Sequence, residues 1–387
     1  MPPESDNGSY DAVVVGAGAI GLACAWAAAE RGSRVAVIDR SERPAGATQV
    51  AAGMLAPVGE VDFGEDELLG MMLASARLYP DFVARLEAAT GRDTGYRRLG
   101  ALHVALDRDE SVELRRQHQL QRSRGLEAGW LGPSGCRQVE PGLAPSLHGG
   151  VHIPDEAAVD PRALAAALEV AARQAGADIE RGSAAERLLL EGGRVRGVQR
   201  AGGADLIAPS VVVATGCWSG EATWLPEQAR PPVRPVKGQI LELGGPVDDP
   251  LCERIVASER VYMVPRPDGR LIVGATVEER GFETTVTAGG VHELLREAYR
   301  LLPDVAELEL LGAKAGLRPG TPDNLPIVGP GAYEGLVLAT GHYRNGILLA
   351  PLTATAVSAV LAGGDGGADL AAAAPDRLAP AAAGVSR

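Results

Sequence analysis

Gly16, Gly18 and Gly21 stand at G-x-G-x-x-G spacing directly after the apolar run Ala12–Val15, and an acid, Asp39, follows eighteen residues past the last of them. Each glycine has a separate task in such a turn. Gly16 makes the chain reverse tightly, Gly18 lets backbone N–H groups come close to a pyrophosphate, and Gly21 lets the following helix pack closely on the strands. The helix then presents unpaired N–H groups and the positive end of its dipole to an anion. Asp39, closing a second apolar run over 34–38, stands where a carboxylate meets a ribose hydroxyl pair. Strand, glycine turn, alanine-rich helix and strand together predict a dinucleotide-binding βαβ unit. The other reading is a glycine turn inside an ordinary α/β unit.

Three further stretches carry candidate chemistry. Residues 41–57 are rich in Gly and Ala, as a backbone needs to be when it passes close to a flat ligand; a plain surface loop is the alternative. The apolar run 211–214 ends in Thr215-Gly216, placing a turn at a strand's carboxyl end, where open α/β sheets bind ligands. A second such run, 336–339, ends in Thr-Gly, and the loop 342–346 then opens a long apolar helix.

Composition narrows the field. The 387 residues, 46% of them hydrophobic, are enough for two domains with sizeable cores. A net charge of −13 without a basic stripe argues against a nucleic-acid partner. Cys24, Cys136, Cys217 and Cys252 are scattered without C-x-x-C spacing, and the six histidines have no ligand spacing, so neither a disulfide frame nor a metal site is expected. Residues 1–9 are polar and lack a basic region, and no unbroken run of 18 apolar residues occurs, so a soluble, cytoplasmic chain is expected.

The elements that would position these residues read as follows. A helix is expected over 65–89, a strand over 99–106 and a helix ending near Gly125. Residues 132–145 read as turns. Asp160-Pro161 start another helix, and strands fit 176–180, 194–199 and 204–208. Residues 234–243, 261–265 and 270–275 read as antiparallel strands with a hairpin at Asp268-Gly269. A helix over 291–302 and an extended stretch over 304–314 follow, and 362–387 reads as a mobile tail.

In order along the chain, V-V-V-G-A-G-A-I-G (13–21), A-A-G-M-L (51–55), V-V-V-A-T-G-C-W-S (211–219), P-V-K-G-Q (235–239), G-R-L-I-V-G-A-T (269–276), A-G-L-R-P-G-T-P-D (315–323) and G-H-Y-R-N-G-I-L-L-A-P (341–351) resemble the D-amino-acid oxidase-like flavoproteins. Within that group the likeness is to the bacterial glycine oxidases of thiamine biosynthesis. It implies an α/β chain with FAD rather than NAD. The implied architecture is a discontinuous Rossmann-like FAD-binding domain (10–90, 150–225 and 316–361) interleaved with an antiparallel-sheet α+β substrate domain (91–149 and 226–315), the flavin ring lying between them. Carried over by position, Ile20, Gly21, Asp39, Arg40, Ala47, Thr48, Ala52, Gly53 and Met54 would line the flavin, with Gly16, Gly18, Thr215 and Gly216 completing the cofactor turns. Ala185 would contact it by backbone, and His342, Tyr343, Arg344, Asn345, Gly346, Ile347 and Leu348 would cover its pyrimidine side. No cysteine stands in 315–323, so noncovalent FAD is implied.

For the substrate, the resemblance points to Arg318, whose planar guanidinium grips a carboxylate with two parallel hydrogen bonds. Tyr262 would add a phenol donor, and Arg344 fills the second substrate-contacting position. The implied reaction oxidises glycine, and in related readings sarcosine or small D-amino acids, to an imine that hydrolyses to glyoxylate and ammonia, with dioxygen reduced to hydrogen peroxide. A D-amino-acid or sarcosine oxidase, a quinone-linked dehydrogenase and a flavin-binding protein without turnover stand as alternatives. A homotetramer is implied by the family. Gln49-Val50, Arg260 and Val277 depart from the family pattern; Arg260 and Val277 are expected near the pocket and bear on substrate preference.

Overall fold

A computed structural model of the chain describes residues 9–378. The expectation for residues 1–8, and that for 379–387 as part of a tail, lie outside the described residues. By internal contacts the chain divides into two compact units, one made of the chain up to Ala45, Leu168–Arg234 and the chain from Pro319, the other of Gly46–Ala167 and Pro235–Arg318. Residues 46–90 and 150–167, grouped from sequence with the first domain, fall in the second unit. There Met54–Leu55 and Arg97–Arg98 both pair with Ala157–Ala158 in a small sheet.

The first unit is built on a six-stranded sheet in the order Ile327–Pro330, Leu336–Thr340, Ser210–Val213, Ala12–Val15, Val35–Asp39, Asp178–Arg181. All neighbours are parallel except Ile327–Pro330 with Leu336–Thr340. The central strands are runs of valine and other apolar residues buried on both faces, as a parallel sheet demands. Helix Ala19–Glu30 follows the glycine turn, and its alanines let it come close to helix Gly346–Leu361, where Ser358 Oγ donates to the carbonyl of Ala27 at 3.2 Å. A three-stranded meander, Ala185–Glu191, Arg194–Arg200 and Leu206–Ile207, completes the unit. Its first strand, A-E-R-L-L-L-E, escapes a propensity reading because its residues favour helix; pairing with Arg194–Arg200 decides the matter. Residues 362–378 are not loose. Leu370 and Ala373 are buried, and Arg377 ion-pairs with Asp323 at 2.8 Å and donates to the Leu325 carbonyl at 3.0 Å, which overrides the mobile composition of that stretch.

The second unit is organised by an eight-stranded sheet in the order Glu309–Gly320, Arg234–Gly244, Arg270–Gly274, Tyr262–Pro265, Ile255–Ala257, Ala101–Val104, Gly150–Ile153, Gly129–Leu131. Alternation along each strand gives it two apolar faces. Leu241, Leu243, Val256, Met263 and Val273 pack with Leu294, Ala298 and Leu301 of helix Ala288–Leu301. Ile240, Val264, Ile272, Ala101 and Val151 pack with Ala52 and Val58, and Tyr262 joins that second cluster. Helices Asp66–Thr90 and Arg108–Ser123 form where expected, the latter capped by Asp107, which accepts from the N–H groups of Asp109 and Glu110 at 3.0 Å. Asp160 caps helix Pro161–Gln174 by accepting from Arg162 N at 2.9 Å. The turn-rich reading of 132–145 misses helix Pro133–Val139, and 303–307 forms a helical turn before the strand that carries Arg318.

Candidate active site

At Gly16 and Gly21 the glycine turn of the first unit packs closely against backbone. A Cβ on Gly16, whose φ is +112°, would lie 2.4 Å from the carbonyl oxygen of Ala214, and one on Gly21 would lie 1.9 Å from that of Gly16. Gly18 is the N-cap of helix Ala19–Glu30 and, lacking a side chain, supplies no side-chain cap, so an anion can approach the positive end of the helix. Asp39 closes the second strand. Its Oδ2 accepts from Ala17 N and its Oδ1 from Ser41 N, both at 2.8 Å, so the carboxylate is fixed beside the turn. Ser183 N donates to the Asp39 carbonyl at 2.9 Å, which brings Ala185, at the start of its strand, into the same neighbourhood. Arg40 lies with its guanidinium 4.4 Å from the Trp218 ring, and Ile20 is half-buried on a helix that is otherwise nearly all buried.

The two Thr-Gly strand ends meet. Ser219 Oγ lies 2.9 Å from Thr215 Oγ1 and 2.8 Å from Thr340 Oγ1, and Thr340 Oγ1 donates to the Gly216 carbonyl at 3.1 Å. This hydroxyl chain fixes the carboxyl ends of neighbouring strands, and a Cβ on Gly216, at φ +57°, would meet open space. Ser219 and Thr340 are partners that sequence reading passed over. The loop 342–346 follows. Tyr343 takes φ +46° and its N–H donates to the Pro319 carbonyl at 3.0 Å, while the Arg344 guanidinium lies 5.4 Å from the Tyr343 ring. Asn345 stands at the N-cap of helix Gly346–Leu361 without a side-chain cap, ahead of Ile347 and Leu348. Burial pushes the His342 imidazole down to about 3, and its Nε2 faces Thr353 Oγ1 at 2.9 Å, so His342 is a neutral packing element rather than a base.

In the second unit Ala47 and Thr48 lie on the helical turn Ala47–Gln49, and Ala52, Gly53 and Met54 run into strand Met54–Leu55. Gly53 takes φ +75°, and a Cβ there would lie 2.0 Å from the Val159 carbonyl oxygen, so its glycine serves a close pass of two protein backbones. Arg266, only 6% exposed, donates to the Ala52 carbonyl and holds this stretch from behind.

Arg318 sits in a slot made for it. Its Nη1 donates to the carbonyls of Thr276 at 3.1 Å and Lys237 at 3.4 Å, and a Cβ on Gly238 would lie 2.4 Å from both Nη1 and Nη2. Tyr262 has the same kind of slot, a Cβ on Gly274 falling 2.5 Å from its hydroxyl. Burial raises the phenol's pKa while the charge and hydrogen bonding of the neighbouring Arg318 work against it, so Tyr262 stays a neutral donor beside the guanidinium. The structure thus brings Arg318 and Tyr262 together. Gly238 and Gly274 were visible only as glycines inside strands, the usual mark of a close approach. Arg260 is exposed and Val277 is 64% exposed, so neither is enclosed in its own unit.

Residues 11–360 match the family described as FAD-dependent oxidoreductases. The chain belongs to that family. FAD is therefore its cofactor, and it is an FAD-dependent enzyme. The bifunctional protein ThiO/ThiG of Trichormus variabilis is 39% identical over 351 residues, 90% of this chain and 52% of that protein, so the chain spans about half the length of that relative. The glycine oxidase of Geobacillus kaustophilus is 35% identical over 364 residues, covering 90% of this chain and 92% of that one. The crystal structure of glycine oxidase from the same species superposes with a TM-score of 0.88 at 34% identity, covering 95% and 99% of the two chains. The residues present fit the cofactor: a helix start without a side-chain cap, after a glycine turn, offers N–H donors to a pyrophosphate, and the carboxylate fixed beside it is an acceptor for ribose hydroxyls. Among the described residues no helix is long and apolar enough to cross a membrane, and no group of three or more His, Cys, Asp or Glu could hold a metal ion.

Proposed function

We propose that this enzyme deaminates glycine oxidatively, with sarcosine and small D-amino acids as further candidate substrates, and that Arg318 and Tyr262 are its carboxylate-binding pair. The observation that carries the reading is the Arg318 guanidinium, seated by two backbone carbonyls beside a neutral phenol, in a chain similar to glycine oxidases over nearly its full length. One Nη of Arg318 is spent on those carbonyls, which orients the plane of the fork; the remaining donors and the Tyr262 hydroxyl suit a carboxylate. FAD would be held noncovalently by Gly16, Gly18, Ile20, Gly21, Asp39, Arg40, Ala47, Thr48, Ala52, Gly53, Met54, Ala185, Thr215, Gly216 and 342–348, and when bound would supply the two-electron oxidation. Arg318 and Tyr262 fix one end of a small amino acid so that its amine carbon has a single placement, and that positioning is their share of catalysis. The Arg344 carbonyl is assigned to the substrate amine.

With no buried histidine able to charge near neutral pH at 342, the proposed chemistry takes the amine as the neutral base. Dioxygen as acceptor, hydrogen peroxide as product, a cytoplasmic homotetramer and a place in thiamine biosynthesis complete the proposal, all supported by the family likeness.

The test is anaerobic addition of glycine, sarcosine and D-alanine to the yellow holoenzyme. Fastest bleaching by glycine supports the reading, and bleaching mainly by another of the three moves it within the family. In Arg318→Ala the KM for glycine should rise about 100-fold, as expected for loss of a bidentate ionic contact, with FAD retained. An unchanged KM would remove Arg318 from the site.

A further inference from the structure

We propose that Glu278, paired with Lys237, is a positioning residue that aims Arg318 at the substrate carboxylate. This rests on the reading of Arg318 given above.

The carbonyls that seat Arg318 belong to Lys237 and Thr276. Both are locked by one carboxylate. Glu278 Oε1 accepts from Thr276 Oγ1 at 2.6 Å and from Gln239 Nε2 at 2.7 Å, and its Oε2 lies 3.4 Å from the Lys237 ammonium. The backbones of residues 237 and 278 exchange two hydrogen bonds of 2.9 Å. Thr276 Oγ1 in turn accepts from Gln239 N at 2.9 Å, and Gln239 Oε1 accepts from Thr287 N, the N-cap of helix Ala288–Leu301, at 2.8 Å. The network therefore anchors the arginine's seat to a helix packed on the same sheet.

The Lys237 residue is fully buried, and its Nζ has no hydrogen-bond partner among the described residues. An ammonium in that position is tolerated because a carboxylate faces it; without Glu278 it becomes an unpaired buried charge that must move or draw in water. Either response displaces the Lys237 carbonyl. Burial pushes the Glu278 carboxyl up, but hydrogen bonds from Thr276 and Gln239 and the nearby charge of Lys237 outweigh it and hold the group below its usual range. Among the described residues Glu278 forms no hydrogen bond or ion pair with Arg318, whose bonds go to the Lys237 and Thr276 carbonyls; its action runs through those two carbonyls.

The experiment compares holoenzymes of wild type, Arg318→Ala, Glu278→Gln, Lys237→Met/Glu278→Gln and Arg318→Ala/Glu278→Gln. It reads KM and kcat for glycine, the inhibition constant of acetate, which offers a carboxylate without an amine, and flavin content. Glu278→Gln should raise KM and the acetate constant together by about tenfold, with a smaller change in kcat and full flavin content, since misplacing a positioned group weakens what it holds. The Lys237→Met/Glu278→Gln variant, with no buried charge left unpaired, should recover most of that loss; a further variant, Glu278→Asp, which keeps the charge but shortens its reach to Thr276 and Gln239, should raise both constants severalfold and carries the test if Glu278→Gln alone does not fold. In the Arg318→Ala background, Glu278→Gln should add nothing. If both constants rise in Arg318→Ala but neither Glu278→Gln nor Glu278→Asp raises them, the positioning role is overturned while the reading of Arg318 stands. An equal effect of Glu278→Gln with and without Arg318 also overturns it. If Arg318→Ala itself leaves both constants unchanged, the reading of Arg318 falls and this inference with it.

Discussion

The glycine turn of the first unit and the arginine slot of the second hold their groups by opposite means. Around Gly16 and Gly21 the neighbours of any added Cβ are main-chain atoms, at 2.4 and 1.9 Å. Around Gly238 and Gly274 they are the ends of the Arg318 and Tyr262 side chains, at 2.4 and 2.5 Å. One site is cast in backbone and has no soft part; the other is assembled from side chains, and its soft part is the functional group. The same substitution should therefore cost stability in one place and function in the other.

The largest effect is expected at Gly21→Ala. The Gly16 carbonyl cannot yield without moving the strand before it, so a loss of about 3 kcal/mol of stability is expected, with flavin lost alongside; thermal unfolding and the flavin absorbance of the purified protein would register both. Gly238→Ala should behave differently. The guanidinium swings away, the fold stays within about 2 °C of the wild-type Tm, and KM for glycine rises about tenfold with flavin content intact. A Gly238→Ala protein that melts early while Gly21→Ala stays yellow and stable would reverse the comparison.

The smallest effect concerns pH. The side-chain-built unit also buries Glu156, only 1% exposed, whose carboxyl burial pushes up to about 8 although Gly59 N donates to it. Between the ordinary carboxyl value of about 4.5 and 8 the folded protein keeps a proton that the unfolded chain releases, so this group makes stability fall as pH rises through that window. Glu156→Gln keeps an acceptor for Gly59 N and removes the titration. Its Tm should therefore gain about 2–4 °C on wild type at pH 8 relative to pH 5. An identical pH dependence in the two proteins would show that Glu156 does not hold its proton.

The two regions were unequally legible for the same reason. The turn is contiguous: strand, three glycines, helix and acid fall within thirty residues, and local sterics fix each of them. Arg318 was found through its motif, yet its seat comes from 237–239, 276–278 and 287, segments joined only by strand register and side-chain hydrogen bonds. No local pattern marks Glu278. The Ser219–Thr340 hydroxyl link spans 121 residues and is equally invisible in the sequence, although both strand ends are legible there. Strand Ala185–Glu191 was missed because its composition favours helix, and residues 362–378 were misjudged because a composition of Ala, Gly, Pro and Asp does not reveal where Arg377 docks.

The four cysteines have a bearing on durability. All are buried, none more than 2% exposed, and burial pushes the thiols of Cys24 and Cys217 up to about 12. Oxidants attack thiolates, and a protonated, enclosed sulfur offers them neither charge nor access. A catalyst proposed to release peroxide at every turnover is thus built so that its own by-product finds no sulfur of cysteine to consume.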